Sequence, residues 1–275
     1  MRRYFLTVSF IILSTIIATS QVKISGLTNE EWLQMLKRHV VKQAANPNSF
    51  SKAPHGYALY FSQVGEVNVP YLVYVPKGYN EARSHAAIVF LHGANLARED
   101  FQYKSSERAD EPIFSIADTF NTIVIFPFAK QDFKWSGEQT AAYENIITII
   151  QKAEQNYNID PKRIYIGGQS MGGNATYWFI NNKPEMFAGF YTFSAMPGNE
   201  KFSNITKEKP LYSISAKDDN TFPYADVEAA YKQHKSETTG WHFSTVQSGG
   251  HRFIYGNNGT KSLKSLFGNL LQGGH

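Results

Sequence analysis

Hydrophobic and polar positions along the chain switch repeatedly between two periods. Thr28 to Val40 places Trp32, Leu33, Leu36 and Val40 at helical spacing behind a capping-box pattern, Thr28 and Glu31, which predicts a short amphipathic helix. Ala44 to Pro54 is rich in Asn, Ser and Pro and reads as a linker. From Tyr57 the alternation shortens to two. Tyr57–Val64 and Val69–Val75 predict a hairpin joined through Gly65-Glu66 and ended by Pro76-Lys77-Gly78-Tyr79. Ala86–Leu91 and Thr122–Phe126 are continuous apolar runs of the kind buried on both faces of a parallel sheet.

Glu138–Tyr157 predicts a helix with Tyr143, Ile146, Ile147, Ile150 and Ala153 on one side, and Asn158–Pro161 a turn. Further strands are expected at Arg163–Ile166, Phe187–Ser194, Leu211–Ser215 and Trp241–Val246. Helices are expected at Met171–Asn181, Tyr224–His234 and Ser262–Leu271. Strands alternating with helices indicate an α/β protein with a mostly parallel central sheet. With no internal repeat and no splitting linker after Tyr57, residues 57–275 form one domain behind an N-terminal helical segment and linker, 21–56.

Composition narrows the chemistry. The 275 residues are 42% hydrophobic, enough for a sizeable core. The absence of cysteine excludes disulfides, a thiol nucleophile and cysteine-ligated zinc. A net charge of +4 without a clustered Lys/Arg stripe argues against nucleic acid as a partner. Arg2 and Arg3 followed by the apolar run Phe5–Ala18 predict a signal peptide over residues 1–20, cleaved near Ser20/Gln21. The expectation is an exported protein, periplasmic or extracellular, with no stable membrane association after cleavage.

The chemistry-bearing motif is Gly168-Gln169-Ser170-Met171-Gly172, a G-x-S-x-G pattern between a predicted strand and a predicted helix. A serine on such a turn projects its hydroxyl from the top of a sheet, and the glycines permit the tight backbone. In open parallel sheets ligands bind beyond the carboxyl ends of the strands, so the loops there are the places to search. His92-Gly93-Ala94, after one buried strand, is positioned to supply a main-chain N–H. Ala94 and Met171 are the candidate oxyanion donors. His251, in Ser248-Gly249-Gly250-His251, is the candidate general base. Asp218 and Asp219 compete to orient it, with Asp219 preferred and Asp218 left to capping or solvent. Trp135, in the loop after Thr122–Phe126, is a candidate substrate-binding side chain lining an acyl or aromatic pocket, with core packing as its alternative. No metal and no organic cofactor is needed by this set.

From about Val69 to His251 the chain resembles an α/β-hydrolase esterase. It is similar to the secreted group that holds polyhydroxybutyrate-depolymerase-like, feruloyl-esterase-like and "predicted peptidase" proteins. The likeness is carried by Tyr71-Leu72-Val73-Tyr74-Val75-Pro76, Val89-Phe90-Leu91-His92-Gly93, Asn158–Tyr165, Gly168–Gly173 and Pro184–Gly189. The order Ser170, Asp219, His251 is that of α/β-hydrolases. Pro223, four residues beyond Asp219, fits the acid loop of the group and favours Asp219, although Ala216 stands where the group usually has glycine. The resemblance implies an α/β-hydrolase fold with helices on both faces of the sheet. It also implies a serine hydrolase acting through an acyl-enzyme on small-molecule or polysaccharide-linked esters, including acetyl or feruloyl groups. A peptidase of prolyl-oligopeptidase type and a non-catalytic binding module on the same scaffold are the rival readings. Neither substrate identity nor oligomeric state is legible at this level.

Overall fold

The computed structural model describes residues 25–38, 55–94, 99–137, 139–198 and 201–272. The expected signal peptide at 1–20, the 44–54 linker and most of the 21–56 segment lie outside the described residues. Helix α1 (Asn29–Arg38) starts as the capping pattern requires. The Glu31 carboxylate accepts from Thr28 N at 2.8 Å, and Glu31 N donates back to Thr28 Oγ1 at 3.2 Å.

Strands β1 (Gly56–Val64) and β2 (Val67–Val75) form the expected hairpin, with Val64 opposite Val67 and Gly65 at φ 56° in the turn. The chain then alternates: β3 (His85–Leu91), α2 (Phe114–Phe120), β4 (Ile123–Pro127), α3 (Thr140–Asn156), β5 (Ile159–Gln169), α4 (Met171–Asn182), β6 (Gly189–Phe193), β7 (Leu211–Ala216), α5 (Tyr224–His234), β8 (Trp241–Val246) and α6 (Gly259–Gln272). The described strands make one eight-stranded sheet in the order β1-β2-β4-β3-β5-β6-β7-β8. β2 runs against both of its neighbours, and every pairing from β4 to β8 is parallel.

The sheet separates two cores, and β3 shows why its sequence is apolar without a break. All seven of its residues are buried. Ala87, Val89 and Leu91 point into the layer with α3 and α4, while Ile88 and Phe90 point into the layer with α1, α2 and α6. The anticipated α/β-hydrolase architecture, helices on both faces of a mostly parallel sheet, is what the chain adopts.

One local expectation needs correction, and one element was not anticipated. The 158–161 stretch is not a simple turn: β5 already begins at Ile159, opposite His85, and a register shift lets the strand absorb Pro161 before Ile164 pairs with Ala87. Helix α2 has no counterpart in the sequence reading. Its seven residues carry no side-chain cap, and packing of Phe114, Ile116 and Ala117 into the core supports it before Asn121 ends it at φ 51°.

Candidate active site

The serine turn is built by steric exclusion. A Cβ added at Gly168 would sit 2.1 Å from the Leu91 carbonyl oxygen, and one at Gly172 would sit 1.9 Å from the same atom. The end of β3 therefore presses directly on the β5–α4 turn, and only glycine fits there. Between them Ser170 is held at φ 54°, ψ −116°, a conformation costly for a side-chain-bearing residue. Two backbone hydrogen bonds hold it: Ser170 N donates to Phe193 O of β6 at 2.9 Å, and Asn174 N donates to Ser170 O at 2.8 Å to open α4.

His251 arrives from the far end of the sheet. It lies in the 3₁₀ segment Gly250–Tyr255 after β8, and Gly249 (φ 119°) and Gly250 (φ 58°) supply the left-handed backbone that turns the loop back. Its Nε2 is 2.8 Å from Ser170 Oγ, and its Nδ1 is 2.9 Å and 3.1 Å from the two carboxylate oxygens of Asp219. The carboxylate can only accept, so Nδ1 carries the proton and Nε2 is left to accept from the serine hydroxyl. Ser170 and His251 are partly exposed, whereas Asp219 is buried beneath them. The edge of the Phe222 ring packs on the imidazole with centroids 5.3 Å apart.

Burial alone would raise the Asp219 carboxyl. The hydrogen bond from His251, those from Phe222 N and Thr221 N, and the histidine's charge outweigh it and hold the group below the ordinary carboxylate range. Those amides reach Asp219 Oδ1 at 3.0 and 2.8 Å. Asp218 points elsewhere. Its oxygens accept from Gly250 N at 2.8 Å and Gly249 N at 3.1 Å, so it pins the loop that carries His251.

The loop after β3 runs beside the serine. A Cβ on Gly93 would lie 2.2 Å from Gln169 Oε1 and 3.5 Å from Ser170 Cβ. Met171, the first residue of α4, flanks Ser170 on the other side, where helix N–H groups lack intrahelical partners. Ala94 follows Gly93 on the exposed side of this loop. Its neighbour His92 is fully internal: Nε2 accepts from Ala129 N at 3.0 Å, so the Nδ1–H donates to Gly93 O at 2.7 Å. Burial, together with the charge of Arg108 and against the Gly93 hydrogen bond, lowers its pKa to about 4. His92 is thus a neutral bracket for the loop.

Trp135 corrects an expectation. It is 1% exposed, its indole N–H donates to His92 O at 3.3 Å, and its ring meets His92 edge-on with centroids 5.0 Å apart. Shielded from any ligand, it supports the loop from behind instead of lining a pocket. Gln169 went unremarked in the sequence. It is buried, and its Nε2 donates to His251 O at 2.9 Å, linking the end of β5 to the histidine loop. A polar side chain closing an otherwise buried strand was its one available signal. Among the described residues no three His, Asp or Glu side chains are grouped to hold a metal ion.

Chemically, this arrangement can remove a proton from a partly exposed serine hydroxyl and store it on an imidazolium that a buried carboxylate stabilises.

The chain is also similar to hydrolases of known sequence and structure. A model of the prolyl oligopeptidase family (Peptidase_S9) matches residues 134–196, the span from Lys134 through the serine turn to Met196. The bifunctional acetylxylan esterase/xylanase XynS20E of Neocallimastix patriciarum is 27% identical over 166 residues, covering 60% of this chain and 23% of that protein. Acetylxylan esterase A of Emericella nidulans is 24% identical over 158 residues, covering 54% of this chain and 49% of its own length. The chain thus spans 23% and 49% of the length of these two curated relatives. A thermostable esterase of known crystal structure superposes with a TM-score of 0.58 at 27% identity, over 70% of this chain and 55% of that one. The chain has the α/β-hydrolase fold, and it is similar to esterases.

Proposed function

We propose that the protein is a serine hydrolase of carboxylic esters, with Ser170 as nucleophile, His251 as general base and then general acid, and Asp219 as the carboxylate that orients it. The single observation that carries this reading is the continuous hydrogen-bonded line from Ser170 Oγ through the imidazole to Asp219. The serine oxygen attacks the ester carbonyl while its proton passes to His251 Nε2. The tetrahedral oxyanion is held by the main-chain N–H groups of Ala94 and Met171. Collapse expels the alcohol, which takes the proton from His251, and leaves an acyl-serine. Water, activated by the same nitrogen, then releases the acid.

The likeness to two acetylxylan esterases supports short acyl groups on a plant polysaccharide as the substrate class, with feruloyl esters as a second acyl type. The basic and apolar N-terminal residues support export with removal of residues 1–20. A peptidase reading draws on the prolyl oligopeptidase match, which covers 63 residues around the serine turn; amide cleavage would use the same three side chains.

Hydrolysis of p-nitrophenyl esters from acetate to long acyl chains, plus a feruloyl ester, tests the proposal in the wild type and in Ser170→Ala. Turnover that is strongest on acetate and disappears in the variant is expected. A folded wild type that turns over none of these esters but cleaves an acyl-peptide p-nitroanilide would transfer the assignment to the peptidase reading. Inertness toward both would leave only a binding role.

A further inference from the structure

A cavity of about 610 Å³ lies apart from the serine, along the last two strands of the sheet. Its walls are the face of β7 and β8 on one side and the polar side of α6 on the other. None of Ser170, Asp219 and His251 lines it. Helix α6 packs its apolar residues Leu263, Leu266, Phe267 and Leu270 inward, toward the centre of the sheet, and leaves the edge strand uncovered on this face.

The lining has a definite chemistry. At the base are apolar side chains, among them Ile214, Val246 and Leu266. The rims are uncharged hydroxyls and amides, including Ser244, Gln247, Ser265 and Asn269. Among the described residues no carboxylate lines the cavity, and Lys261 is its one side chain of fixed charge. At the end formed by the starts of the strands, Tyr212 and His242 are register partners whose rings stack with centroids 4.4 Å apart and planes 15° apart. Tyr212 is partly and His242 largely exposed. At the opposite end the cavity reaches Gln247 and Ser248, and Ser248 is three residues from His251.

We propose that this groove is a second binding site for a neutral, unbranched oligosaccharide, which keeps a polymeric substrate against the protein while its ester groups reach Ser170. A pyranose ring has apolar C–H faces and a rim of hydroxyls. The groove offers the matching pair, an aliphatic and aromatic base between walls of hydroxyl and amide side chains that both donate and accept. Six residues of β8 span about 20 Å, so the groove suits several linked units and not a single sugar. The ligand class rests on the polysaccharide-ester reading above, but the groove itself is independent of it. A protein partner fits less well. Strand addition relies on side-chain pockets at alternate positions, and β8 turns His242, Ser244 and Val246 to this face, two polar groups of three. Interfaces between protein copies have an apolar centre. The large apolar side chain exposed among the described residues, Phe61, belongs to β1 at the opposite sheet edge.

The test uses the full chain carrying Ser170→Ala, titrated calorimetrically with xylohexaose and with cellohexaose. Saturable binding of at least one is expected. Two groove-filling changes at exposed positions, Ser265→Trp from the helix side and Ser244→Trp from the strand side, should each weaken it at least tenfold, with near-UV circular dichroism verifying that each variant is folded. Placed in the chain with Ser170 intact, both changes should leave p-nitrophenyl acetate hydrolysis within twofold of wild type and slow hydrolysis of an acetylated xylan. The proposal is overturned if neither sugar binds, or if binding withstands both tryptophans and so lies elsewhere. A concentration-dependent dimer abolished by the tryptophans, with no sugar binding, would make the groove an interface and overturn it equally. Sugar binding without ester hydrolysis would refute the esterase reading and leave the groove standing.

Discussion

Asp218 and Asp219 are adjacent in the chain and grip the histidine loop at two different points. Asp219, buried, accepts from His251 Nδ1 at 2.9 Å, while Asp218, exposed, accepts from the main-chain N–H groups of Gly249 and Gly250. One carboxylate orients the imidazole, and the other fixes the backbone that delivers it.

The two should separate cleanly on mutation. Asp219→Asn retains the shape but offers an amide in place of the charge that stabilises the imidazolium, and kcat should fall by about 10⁴-fold. Asp218→Asn loses one acceptor at a solvent-exposed loop, worth about 1 kcal/mol, and kcat should fall no more than about tenfold with KM unchanged. Steady-state kinetics on p-nitrophenyl acetate decide it. Comparable losses in both variants would contradict the division of labour.

Gln169 acts on the same loop from the β5 side. Gln169→Leu removes the donor to His251 O, a part-buried hydrogen bond worth about 1 kcal/mol of stability. If Gln169 positions the histidine, kcat should drop while KM holds. A lower melting temperature with unaltered kcat would reduce the residue to a structural tie.

His92 makes the fold sensitive to acid. Its pKa is lowered by burial to about 4, whereas in the unfolded chain it rises to about 6.5. Between those values the unfolded state binds the extra proton and the folded state does not. Stability is therefore fully present above about pH 6.5 and declines as pH falls toward 4, by about 3 kcal/mol from this residue. Urea unfolding from pH 7 to pH 4.5 should show that loss, and His92→Asn, with no group titrating there, should flatten it.

Much of this was legible in the sequence, for identifiable reasons. β8 and α5 have the limits their periodicity predicts, Trp241–Val246 and Tyr224–His234, and the unbroken apolar run of β3 announced a strand buried on both faces. The glycine-flanked serine and histidine stood out because a tight turn leaves a local signature. What stayed hidden depends on distant contacts. Helix α2 is stable only through its packing, β5 crosses a proline by shifting register against β3, and Gln169 matters through a residue 82 positions away. The direction of Trp135 is of the same kind: nothing local says whether an indole faces a cleft or the back of a loop.

The last prediction concerns Trp32, which ties the N-terminal helix to the wall behind the site. Its indole N–H donates to Tyr103 O at 2.8 Å and its ring packs edge-on against Tyr57, 4.8 Å between centroids. Alongside it, Ser106 N donates to Asn29 Oδ1 at 2.8 Å and the Tyr57 hydroxyl donates to Ala109 O at 2.9 Å. From the pinned segment the contact runs inward: Tyr103 meets Phe128 at 6.3 Å, and Phe128 meets His92, the bracket of the loop beside Ser170, at 6.2 Å. Trp32→Ala should cost about 3–5 kcal/mol, as expected for a wholly buried tryptophan. Trp32→Phe keeps an aromatic ring but loses the hydrogen bond and part of the indole's buried volume, for about 1–3 kcal/mol. If α1 is a brace for the site, kcat on p-nitrophenyl acetate should fall in Trp32→Ala at temperatures where it is still folded, and Trp32→Phe should restore most of it. If stability falls and kcat does not, the helix is a packing element whose influence stops at Tyr103.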